Sequence, residues 1–89
     1  MRFAVICRDN PGRLETRLAN RDAHLAYIKA TGIVEMAGPF LEAGQMCGSL
    51  IILACDSLAA AQSWTKGDPY GAAGLFESVT VTEWKKVIG

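Results

Sequence analysis

The segment Ile33-Val34-Glu35-Met36-Ala37-Gly38-Pro39-Phe40-Leu41-Glu42-Ala43-Gly44-Gln45-Met46-Cys47-Gly48-Ser49-Leu50-Ile51-Ile52-Leu53-Ala54 decides the fold. Ile33 to Ala37 reads as a strand ending at Gly38-Pro39, and Ser49 to Ala54 reads as a second, continuously apolar strand. Glu42-Ala43-Gly44-Gln45 supplies the turn. Two strands so close in sequence predict an antiparallel hairpin.

Outward from this hairpin, Arg2 to Cys7 is a short apolar run closed by Asp9-Asn10-Pro11-Gly12, which predicts a strand followed by a loop. From Arg13 to Ala30 the residues Leu14, Leu18, Leu25 and Ile28 recur at offsets of 4, 7 and 3, the spacing of one helix face, and Gly32 supplies a stop. Asp56 or Ser57 can cap a second helix through Leu58 to Trp64. Gly67 to Gly74 reads as a loop, and Ser78 to Trp84 alternates valine and threonine with the period of a half-buried strand. The order βαββαβ predicts a ferredoxin-like α+β sandwich, four antiparallel strands with both helices on one face. The opposite face would be bare, and pairing with a second copy is the expected way to cover it.

With 89 residues the chain is expected to form a single domain, residues 1–89, and its hydrophobic fraction of 51% leaves apolar area for a subunit interface. Nine acidic and nine basic side chains cancel without forming a basic stripe. Nucleic acid and anionic membrane are therefore not expected partners. No apolar run approaches the roughly 20 residues of a membrane span, and Arg8 and Asp9 interrupt the first apolar run too early for a signal segment. Cys7, Cys47 and Cys55 show no CxxC or Cys/His cluster, so neither a disulfide framework nor a metal site is expected. They read as small buried hydrophobes on strands in a reducing cytoplasm.

His24 is the only histidine. An imidazole works as acid or base near neutral pH when a partner fixes its tautomer, and a carboxylate is the usual device. At 100° per residue His24 lies beside Arg17 and Arg21 on one flank of the apolar stripe, while Asp22 points to the other flank. A carboxylate from elsewhere is needed if the ring is to be oriented. A lone histidine at the edge of a stripe also fits a hydrogen-bonded structural residue. Arg17 and Arg21 read either as solvated charges or as an electropositive corner for a carboxylate-bearing ligand. Asp68 before Pro69 is a turn initiator, Gly38-Pro39 shapes the end of a strand, and Gly48-Ser49 permits close approach of a backbone or ligand. Trp64, Tyr70 and Phe76 read as packing residues. No nucleotide or serine-hydrolase motif is present, and no residue pattern requires a cofactor.

The run Arg17 to Tyr27, then Ala37-Gly38-Pro39-Phe40, Gly48-Ser49-Leu50, and Asp68-Pro69-Tyr70 through Ala73-Gly74-Leu75-Phe76 resembles the YCII-related (YciI-like) family across nearly the whole chain. The resemblance implies a dimeric α+β barrel and an active-site pair falling on His24 and Asp68. The wider superfamily of such barrels includes muconolactone isomerase-like and dehydrochlorinase-type enzymes and monooxygenases. The expectation is a small cytoplasmic enzyme of lyase or isomerase type acting on a small, possibly anionic organic molecule. His24 would serve as acid/base and Asp68 as its orienter, with Arg17, Arg21, Gly38, Pro39 and Ser49 around the substrate. A non-catalytic small-molecule binding module is the alternative.

Overall fold

Strands β1 (Arg2–Asp9), β2 (Val34–Glu42), β3 (Gln45–Ala54) and β4 (Phe76–Trp84) form one antiparallel sheet in the order β2-β3-β1-β4 in the computed structural model, which describes residues 1–89. Helix α1 (Leu14–Thr31) links β1 to β2, while α2 (Leu58–Gly67) and the single turn α3 (Pro69–Ala72) link β3 to β4. The fold is α+β and ferredoxin-like. Phe3, Val5 and Cys7 of β1 pair across the ladder with Leu53, Ile51 and Ser49 of β3, so all six lie on one face. There the apolar five join Ala61 and Trp64 of α2 in the core. Each large side chain removed from water in this cluster contributes about 1.5–3 kcal/mol.

The hairpin is longer than its apolar runs. β2 continues through Gly38-Pro39 to Glu42 instead of ending at Ala37, and β3 begins at Gln45 rather than Ser49. Pro39 is tolerated because β2 is an edge strand, where one side of the backbone needs no ladder donor. The turn itself is Ala43-Gly44, with φ of 51° and 78°, the left-handed pair favoured by two-residue hairpins. Within β3, a Cβ on Gly48 would collide with the Cys7 carbonyl oxygen, so glycine there serves close approach of the backbone.

The helices correct the reading of α1 most. Its boundaries agree, and Gly32 closes it in the left-handed conformation with φ of 67°. Of its apolar stripe Ile28 packs against the core, whereas the three leucines do not. Leu14, Leu18 and Leu25 are 38%, 54% and 44% exposed, whereas Arg17 and His24 are 3% and 6% exposed. The inward line is Arg17, His24 and Thr31 at seven-residue spacing, and each member finds a polar partner. Thr31 Oγ1, for example, accepts a hydrogen bond from Trp64 Nε1 at 2.9 Å, while the Tyr27 hydroxyl donates to the Trp64 carbonyl at 2.7 Å. Ser57 rather than Asp56 caps α2, accepting from the Ala60 N–H at 3.1 Å. The predicted loop at residues 67–74 contains α3, and β4 starts two residues early, at Phe76.

Val79 and Val81 pair with Cys7 and Val5 and so face the helices. The opposite sheet face carries Ala4, Ile6, Leu50, Ile52, Met36 and Phe40, with Leu50 37% and Met36 56% exposed. No helix is long and apolar enough to cross a membrane.

All three cysteines are free, but only Cys7 is buried. Cys47 is half-buried in β3 and Cys55 lies just beyond that strand, because its side chain falls where the chain leaves the sheet. Burial pushes the Cys7 thiol up to about 12, with the charge of Asp68 acting in the same direction. A thiol reagent at pH 8 is expected to modify Cys47 and Cys55 in the folded chain and to reach Cys7 only after unfolding. Three equivalents reacting at one rate without denaturant would contradict this burial.

Candidate active site

Between α1 and the sheet lies a cavity of about 210 Å³. Its apolar wall includes Leu25, Ile28, Ala37, Met46 and Ile51, and its polar wall is Arg17, Arg21, His24, Ser49 and Tyr70. Gly38 and Pro39 of β2 complete the rim. Every expected substrate-contacting residue thus borders one space, together with His24. A larger groove of about 600 Å³ runs between the β1–α1 loop and the β2–β3 turn, but no imidazole reaches it.

Asp68 stands behind this cavity rather than on its surface. Its side chain is 2% exposed, and Oδ1 lies 2.7 Å from His24 Nδ1. The turn-capping reading of Asp68 also holds, since the same Oδ1 accepts the Tyr70 N–H at 3.0 Å. Pro69 at the first helical position of α3 has no N–H to leave unsatisfied, which suits it to follow this cap. With Nδ1 occupied and no buried side-chain N or O left unpartnered, Nε2 is the ring nitrogen available to a molecule in the cavity.

Arg17 is already engaged. Its Nε and Nη2 donate to the two Asp9 carboxylate oxygens at 2.8 Å each, and Nη2 donates to Ser49 Oγ at 2.9 Å. Burial favours the neutral guanidine, but the hydrogen bonds and charge of Asp9 outweigh it, so the Arg17 pKa is raised. This bidentate pair fills the fork that a ligand carboxylate would use. Arg21 instead is exposed at the rim, with no carboxylate within ion-pair distance.

Two residues of the site were not among the sequence candidates. Asp9 reads as strand-ending punctuation, yet it neutralises Arg17. Tyr70 reads as packing, yet its ring stacks on His24 with centroids 3.9 Å apart and planes at 15°, and Arg17 lies over it at 4.9 Å. Burial pushes the Tyr70 phenol up, opposed by Arg17 and Arg21. The proximity of Tyr70 to Asp68 in sequence was the available signal. No three His, Cys, Asp or Glu side chains converge as a ligand set for a metal. Chemically, an oriented imidazole facing a small mixed cavity can accept a proton at Nε2 and return it, while Asp68 balances the imidazolium.

The sequence pattern of the YCII-related domain matches residues 1–85. Protein YciI of Escherichia coli O6:H1 is 37% identical, with 98% of this chain and 99% of the relative aligned. A Haemophilus influenzae protein is 38% identical over the same share of each chain. Among solved structures, 5-chloro-2-hydroxyhydroquinone dehydrochlorinase (TftG) from Burkholderia phenoliruptrix AC1100, in complex with 2,5-dihydroxybenzoquinone, superposes with a TM-score of 0.88 at 36% identity, covering 96% of this chain and 94% of that one. An antibiotic biosynthesis monooxygenase superposes with a TM-score of 0.61 at 10% identity over 98% of both chains, a likeness of fold alone. The chain belongs to the YCII-related domain family.

Proposed function

We propose that this chain is a small enzyme of lyase or isomerase type that moves a proton on a small, oxygenated, anionic organic molecule. The observation that carries the reading is the pairing of its sole imidazole, through Nδ1, with a buried carboxylate while the ring lines a cavity of about 210 Å³. Nε2 of His24 takes a proton from an acidic C–H or O–H of the substrate. Asp68 holds the tautomer and stabilises the imidazolium. The electron pair released forms a new double bond. In an isomerisation the proton returns at another atom, and in an elimination a leaving group departs as an anion. Arg21, without a carboxylate partner, meets the anionic end of the substrate. Arg17 and Ser49 shape the polar wall, and Gly38 and Pro39 close the rim. The dehydrochlorinase likeness supports an oxygenated ring as one substrate type.

The test is turnover over a panel of 5-chloro-2-hydroxyhydroquinone, lactones and unsaturated acids, following chloride release and absorbance. Catalysis of at least one is expected. Tight binding of panel members without any turnover would favour a non-catalytic binding module.

The same reading makes the protein a cytoplasmic homodimer. Its free thiols suit a reducing compartment, and a second copy covers the open sheet face that exposes Leu50 and Met36. Sedimentation at micromolar concentration is expected to give twice the chain mass, and a stable monomer would refute the pairing.

A further inference from the structure

We propose that Tyr70 is a positioning residue for His24, holding the imidazole plane so that Nε2 is aimed into the cavity. The inference deepens the proton-transfer reading and rests on it. One hydrogen bond from Nδ1 to Asp68 selects a tautomer but leaves the ring free to swing about that contact. The Tyr70 ring supplies the missing restraint. At 3.9 Å and 15° it overlaps the imidazole face to face, closer than the roughly 4.5–7 Å at which aromatic pairs ordinarily settle, and blocks the ring from tipping toward that side. Tyr70 is itself held, with Phe76 against it edge-on at 6.0 Å and 85°. It is 3% exposed.

Both restraints come from one turn. Asp68, Pro69 and Tyr70 are consecutive, and the Asp68 oxygen that faces His24 also accepts the Tyr70 N–H. The carboxylate therefore fixes the ring in its plane, and by fixing the backbone of Tyr70 it sets the surface on which that plane rests. Proton transfer tolerates angular errors of only about 10–20°, so removing the stack should lower the chemical step more than binding.

The test uses the full chain with its single histidine isotopically labelled. In the wild type the His24 ring protons should lie upfield of their positions in the unfolded chain, displaced by the Tyr70 ring current, and the neutral ring should hold one tautomer. Tyr70→Phe keeps the aromatic face and should preserve both signatures and kcat. Tyr70→Leu should lose the upfield displacement, loosen the imidazole in ring relaxation measurements while Asp68 keeps its tautomer, and lower kcat by about 10²-fold with a smaller change in KM. The spectroscopic results stand whether or not a substrate is turned over, which separates this inference from the proposed activity. Undisplaced ring protons in the wild type would overturn it, as would a folded Leu variant whose imidazole stays as rigid as in the wild type. A Phe variant that keeps the stack but loses kcat would assign the effect to the hydroxyl and overturn it too. If the Leu variant does not fold, the wild-type displacement and the Phe variant still decide.

Discussion

Arg17→Ala is expected to lose about 3–5 kcal/mol of stability, because it leaves the Asp9 carboxylate buried without its cation. The Arg17 and Asp9 side chains are only 4% and 7% exposed, so solvent cannot replace the lost partner as it would at a surface pair. Ser49 Oγ loses its donor as well. Against a total of about 5–15 kcal/mol for a domain of this size, the loss is large, equivalent to a fall in melting temperature of about 12–40 °C. Removing both charges in Asp9→Ala/Arg17→Ala should cost less than the sum of the single variants, since neither group is then orphaned. Chemical denaturation of the four proteins measures this directly. A loss below about 1 kcal/mol for Arg17→Ala would mean that the pair behaves as if exposed, and the polar wall of the cavity would not need it.

His24→Ala is expected to reduce turnover by about 10²–10⁴-fold, the usual contribution of a positioned acid or base, with the fold retained. Retention of the fold is reasonable despite burial, because alanine removes a side chain that lines a cavity and leaves Asp68 with its bond from the Tyr70 N–H. Steady-state rates on the best substrate of the panel, compared with thermal melting, separate the two effects. Binding of a panel member that the wild type binds should persist in the variant where its contacts are made by Arg21 and the apolar wall. Turnover within threefold of the wild type would remove His24 from the chemistry.

The hairpin and α1 were legible because their signals are local. A short continuous apolar run bounded by turn residues suits a strand buried on both faces, and Ala43-Gly44 supports the left-handed turn that closes the hairpin. The extension of β2 past Pro39 was hidden, since whether a proline fits a strand depends on its being at an edge, a property of the whole sheet. The orientation of α1 was hidden for a related reason. Apolar periodicity favours the face with Leu14, Leu18 and Leu25, but the helix turns inward the face whose polar groups have partners waiting on β1, β3 and the α2–α3 corner. Those partners are set by sheet register and by a one-turn helix, neither of which leaves a periodic trace. The site was legible where family resemblance marked residues, as with His24 and Asp68. It was not legible where a contact alone gives a residue its role, as with Asp9 and Tyr70.

The central claim is that Asp68 orients His24 so that Nε2 faces the substrate, and the most direct measurement is the long-range proton–nitrogen spectrum of the single histidine in the wild type and in Asp68→Ala. In the wild type the neutral ring should carry its proton on Nδ1, bonded to Asp68 across 2.7 Å, and the unprotonated Nε2 resonance should move when a panel member that binds is added. Asp68→Ala removes the oxygen that faces Nδ1 and should lose that single tautomer, at a cost of about 0.5–2 kcal/mol for the lost cap of α3. A wild-type ring protonated on Nε2, or a tautomer unchanged in the Ala variant, would contradict the account and leave Asp68 as the cap of a turn.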